Sequence, residues 1–109
     1  MTTPLSLDRT QRDDGTQVLT VAGEIDLSNI DTFRQAITAA TADAARTAGA
    51  LTVDVSAVEY LDSAAISVLY DRADDIQRLI AHDLLMSSLT VSGVTELVAT
   101  EVVPSASDA

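Results

Sequence analysis

Ser63 and His82 are the residues whose types first suggest covalent chemistry, a hydroxyl nucleophile and the chain's single imidazole. A serine nucleophile needs a general base within hydrogen-bond reach. The apolar periodicity after Asp62-Ser63 predicts one helix running to Ile80, with His82 at its C-terminal end. A continuous helix of about 18 residues at 1.5 Å each would hold the two side chains roughly 27 Å apart, excluding direct Ser63–His82 catalysis. His82 then reads as a solvated residue near the negative helix end. Asp13-Asp14 and Asp74-Asp75 read as solvated charges. One histidine, no cysteine and no alternating acidic run leave no metal site to predict, and no thiol or disulfide chemistry. There is no G-x-S-x-G elbow, no phosphate-binding G-x-x-x-x-G-K-[ST] loop, no G-x-G-x-x-G and no H-E-x-x-H, so neither catalytic residues nor a cofactor are expected.

The elements that must carry Ser63 follow from hydrophobic spacing. Leu5 and Leu7 alternate with Ser6 and Asp8, and the polar run Gln11 to Gly15 suits a hairpin turn into a second strand through Val18, Leu19, Val21, Ala22 and Ile25. Ser28-Asn29-Ile30-Asp31 has the form of a capping box and predicts a helix start. Apolar residues at Ile30, Phe33, Ile37, Ala40, Ala44 and Ala48 then draw one helical stripe as far as Gly49. Leu51, Val53 and Val55 alternate with Thr52, Asp54 and Ser56 as a strand does. Asp62 is placed to cap the next helix, whose stripe is Ala65, Ile66, Leu69, Tyr70, Ala73, Ile76, Leu79 and Ile80. A strand is expected over Leu84 to Val91, ended by Gly93, and a short last helix over Glu96 to Val102. The order β-β-α-β-α-β-α defines an α/β fold with helices packed on a mixed sheet.

With 109 residues and 47% hydrophobic content, the chain suits one domain, 1–109, with 104–109 as a frayed tail. The net charge of −11 repels phosphate backbones and anionic lipid, so neither nucleic acid nor membrane is an expected partner. The first residues lack the basic flank and apolar core of a secretory signal, and no apolar run approaches bilayer-spanning length, so a cytoplasmic location is expected.

The segment Val53-Asp54-Val55-Ser56-Ala57-Val58-Glu59-Tyr60-Leu61-Asp62-Ser63-Ala64-Ala65-Ile66 resembles the STAS family, the domain of bacterial anti-sigma factor antagonists. There a strand of form (V/L)-D-(L/V)-S-x-V-x-x-(L/M/I) precedes D-S-(S/T/A)-(G/A)-(L/I). Upstream, Gly23-Glu24-Ile25-Asp26 is similar to the family's G-E-(L/I)-D turn. The resemblance spans roughly residues 15 to 93 and implies a STAS-like mixed sheet. It implies that Ser63 is a phosphorylatable serine and that the partner is an anti-sigma factor with serine kinase activity, sequestered while Ser63 is unmodified. The implied contact patch is Asp26, Ser28 and Asn29 in one loop with Asp62, Ser63, Ala64 and Ser67 at a helix start. Ala65 stands where the family often has glycine, which should stiffen that turn and alter the approach of a partner backbone. Residues 82–109 match the family poorly, with Glu96 and Glu101 in place of basic residues.

A phosphate would add about −1.5 to −2 charges at a helix N-terminus, where the dipole favours it and Asp62 and Asp26 oppose it. At a contact built for a neutral hydroxyl the dianion must be desolvated, so phosphorylation should release the partner. The expected state is a monomer or weak dimer. The competing expectation is a scaffold or sensory subunit of a larger signalling assembly, never phosphorylated at Ser63.

Overall fold

A computed structural model describes residues 4–47 and 49–104. The strands are β1 (Ser6–Gln11), β2 (Gln17–Ile25), β3 (Leu51–Leu61), β4 (Arg78–His82) and β5 (Ala99–Val103), and the helices α1 (Ile30–Arg46), α2 (Ser63–Asp71), α3 (Met86–Ser92) and α4 (Val94–Leu97). The strands form one sheet in the order β1-β2-β3-β4-β5, β1 antiparallel and the others parallel. The α/β class with a mixed sheet therefore stands, and a fifth strand completes it. Each crossover steps the same way along the sheet, so right-handed connections bring all the helices to one face.

That face is the core. Leu19 and Val21 of β2, Val53 and Val55 of β3 and Leu79 and Ala81 of β4 meet Phe33, Ile37 and Ala40 of α1, Ala65 and Leu69 of α2, and Leu89 and Val94 beyond β4. The opposite face carries Thr20, Asp54, Ile80 and Glu101 in one cross-strand row, none of them fully covered. The α1 stripe buries Ile30, Phe33, Ile37, Ala40 and Ala44 as its spacing predicts; Ala48 lies outside the described residues, as does the tail beyond Pro104.

The second half of the chain departs from the expected boundaries. The long helix through Ile80 is two elements: α2 stops at Asp71, and a 3-10 turn over Ala73–Asp75 reverses the chain. The Gln77 amide then bonds the Leu51 carbonyl at 2.8 Å and lays β4 beside β3. Ile76, Leu79 and Ile80 fit a helical step, yet Leu79 and Ala81 also alternate as a strand, and the unpaired backbone edge of β3 selects the strand. Residues 84–91, expected as a strand, form a 3-10 turn (Asp83–Leu85) and α3, with Leu85 and Leu89 buried one helical turn apart. Gly93, at φ +89°, ends α3 in a left-handed conformation that a side chain would disfavour. Val102 lies in β5, not in a last helix. Among the described residues, no helix is long and apolar enough to cross a membrane.

Candidate functional site

α2 opens where β3 ends. Asp62 is extended, and its Oδ1 accepts the Ala65 amide at 3.0 Å, as a good N-cap does. The Ile66 amide closes the first turn on the Asp62 carbonyl at 3.1 Å. The amides of Ser63 and Ala64, the first residues of the helix, have no intrahelical carbonyl to reach. Ser63 is exposed, and its hydroxyl makes no hydrogen bond among the described residues.

The β2–α1 loop is built differently. At Gly23, with φ +91°, the register of β2 on β3 shifts before Glu24, and the glycine supplies the left-handed backbone of that bulge. Asp26 Oδ1 accepts both the Ser28 amide at 2.9 Å and the Ser28 hydroxyl at 2.5 Å. These bonds, the hydroxyl first, hold the Asp26 carboxyl below the usual carboxylate pKa. Asn29 ties the loop down, accepting the Asp26 amide at 3.0 Å and donating to the Glu24 carbonyl at 2.9 Å. The expected Ser28–Asp31 capping box is absent. Asn29 holds the N-cap position without a side-chain cap, because the Ser28 hydroxyl is committed to Asp26 and Asp31 pairs with Arg34 at 2.7 Å.

Sheet pairing joins the two loops. Ile25 is in register with Leu61, and the Asp62 amide reaches the Ile25 carbonyl at 3.3 Å. Asp26, Ser28 and Asn29 thus share the C-terminal edge of the parallel strands with Asp62 and Ser63. The other two residues of the implied patch, Ala64 and Ser67, lie further along α2. Ala64 is half-buried and packs on the core, so it offers a partner little surface. Ser67 is exposed one turn into α2, facing a groove rather than the loop. Ala65 is fully buried, so its methyl fills core volume beneath that turn.

The groove, of about 460 Å³, lies between α2 and α3, where Ser63, Ile66 and Ser67 face Ser87, Ser88 and Val91. Sequence reasoning missed the α3 side because Leu84 to Val91 reads locally as a strand. The legible signal was Leu85 and Leu89 four apart ahead of Gly93.

His82 needs the fullest correction. It ends β4, only 7% exposed, and is not a solvated residue at a helix end. Its Nδ1 accepts the Leu84 amide at 3.2 Å, so Nε2 carries the proton donated to the Val58 carbonyl at 2.7 Å. The imidazole thus satisfies a β3 carbonyl beyond the last paired rung of β4 and caps the turn into α3. With both nitrogens engaged, it has no lone pair to offer Ser63.

A mixed α/β sheet with a capped, hydroxyl-bearing helix start at the ends of its parallel strands defines the class of domain. The chain belongs to the STAS domain family: the family model described as "Mlab, STAS domain" matches residues 9–102, extending beyond the limits that the sequence motifs suggested. The fold is similar to the crystal structure of an anti-sigma factor antagonist from Mycobacterium paratuberculosis, at 25% identity and TM-score 0.79, covering 96% of this chain and 90% of that one. It is also similar to the anti-sigma factor antagonist SpoIIAA in its unphosphorylated form, at 19% identity and TM-score 0.59, covering 89% of this chain and 87% of that one. No curated protein matches the chain significantly.

Proposed function

We propose that this STAS domain is a non-enzymatic regulatory module of the cytoplasm, an anti-sigma factor antagonist that sequesters an anti-sigma factor and so frees a sigma factor for transcription. The partner carries serine kinase activity and transfers a phosphoryl group to the Ser63 hydroxyl, which ends the complex. The observation that carries this reading is the Ser63 hydroxyl itself, exposed and unpartnered at the first position of α2. Ser28, the other serine of the implied patch at the strand ends, has its oxygen bound to Asp26. The likeness to the mycobacterial antagonist supports the partner class. Added phosphate lies near Asp62, which already occupies the Ala65 amide, so the helix end compensates the dianion only in part. Within a complex the charge would be desolvated against a surface fitted to a hydroxyl, and binding weakens.

The test mixes the purified protein with the anti-sigma kinases of the same genome and measures complex formation by calorimetry for wild type, Ser63→Ala and Ser63→Glu. Ser63→Ala should bind and resist phosphorylation, and Ser63→Glu should fail to bind. Equal binding by Ser63→Glu, together with a large stable assembly in light scattering and unphosphorylated native protein, would replace this reading with the scaffold alternative.

A further inference from the structure

The chain carries 17 acidic residues and a net charge of −11, yet the α2–α3 groove is free of charge. No acidic or basic residue occurs from Ser63 to Tyr70, or from Leu84 to Thr95. Ile66 is half-buried in the groove wall, and Val91, 86% exposed, stands on its rim with its methyl groups in solvent. The acids stand at the ends instead. Asp62 and Asp83 precede the two helices at the edge where β3 and β4 finish. Asp71 closes α2, with the following Arg72 donating to the Thr38 hydroxyl of α1 at 3.2 Å, and Glu96 stands in α4 beside the start of β5, at the opposite edge.

Resting on the reading of α2 as the docking helix, we infer that this groove receives an amphipathic helix of the partner, about two to three turns long, with an apolar centre and Lys or Arg at both ends. A neutral serine-lined trough accepts small and apolar side chains without desolvating a charge. Its acidic ends attract basic residues and disfavour an acidic helix of the same shape, fixing position along the groove. Ser63 lines the groove at its Asp62 end, so a phosphate there stands in the path of the docked helix and must be desolvated with it.

The test titrates the full chain, followed by amide NMR shifts, with two synthetic helical peptides that share a Leu/Ala centre, one ending in Lys/Arg and the other in Glu. The basic-ended peptide should shift Ile66, Ser88 and Val91, and lose affinity as salt rises. Val91→Asp, at an exposed position where folding is not at risk, should weaken it tenfold or more, on the order of the cost of an unpaired buried charge. Asp71→Asn combined with Glu96→Gln should weaken it roughly fivefold. Equal binding of the Glu-ended peptide, shifts mapping elsewhere, or no shift at millimolar peptide would overturn the inference. An anti-sigma factor that binds, is blocked by Ser63→Glu, and ignores Val91→Asp and the double neutralisation would also overturn it while leaving the switch intact. Groove binding of the basic peptide in a chain that no anti-sigma factor recognises would uphold the groove and remove only that partner class.

Discussion

The starts of α1 and α2 lie side by side at one sheet edge, each following a parallel strand and each containing an Asp and a Ser, yet they use them in opposite ways. At α1 the carboxylate of Asp26 holds the Ser28 hydroxyl, and the N-cap Asn29 spends its amide on the loop backbone. At α2 the carboxylate of Asp62 caps the helix, leaving the Ser63 hydroxyl without a partner. The difference is one of spacing. In Asp26-Leu27-Ser28 the serine is two residues on, where its amide and hydroxyl fold back on the carboxylate; in Asp62-Ser63 it is the next residue, already in the helix and turned outward. An internally satisfied loop positions, and an unsatisfied hydroxyl is available for chemistry.

The largest expected effect sharpens this contrast. Ser63→Glu should cut affinity for the anti-sigma factor by on the order of 100-fold, and Ser28→Glu by less than about tenfold, measured by calorimetry. Comparable losses would mean that the two starts contribute equally to the contact. The turn that leads into α3, whose Leu84 amide His82 accepts, extends the comparison. His82→Leu leaves the Val58 carbonyl without its side-chain donor, and should lower stability by about 2 kcal/mol in urea unfolding. Asp62→Ala should cost about 1 kcal/mol, whereas Ser63→Ala should stay within about 0.5 kcal/mol, which thermal melts will separate.

The smallest effect is one of pH. Because the folded Asp26 carboxyl titrates below its ordinary value, its contribution is fully present above the unfolded carboxylate pKa of about 3.9 and is lost as pH falls through the lower folded value. Asp26→Asn should therefore make the melting temperature less sensitive to acid below about pH 4. An unchanged acid profile would mean that the Ser28 bonds do not favour the charged carboxylate.

Much of the first half was legible because its periods are unambiguous. The α1 stripe repeats in threes and fours over five buried residues, and the Leu51-Val53-Val55 alternation admits only a strand. Asp62 was legible as a cap because it stands directly before an apolar helical run. The stretch from Ala73 to Val91 was not legible, since Ile76, Leu79 and Ile80 satisfy the helical period while Leu79 and Ala81 satisfy that of a strand. Nothing local distinguishes them. His82 was misplaced for the same reason, and with it went the α3 side of the groove.

The sequence by itself determined the α/β class, the buried stripes and the Asp62-Ser63 helix start, because these depend on side chains within one or two turns of each other. Tertiary structure alone decided where α2 stops, that the Ser28 loop and the Ser63 helix start meet at one sheet edge, and that Ser63 shares a groove with Val91. Those outcomes depend on which carbonyls β3 leaves unpaired and which loops the parallel register of Ile25 and Leu61 brings together. Backbone groups must be satisfied across the whole sheet, and no local pattern records where their partners will be.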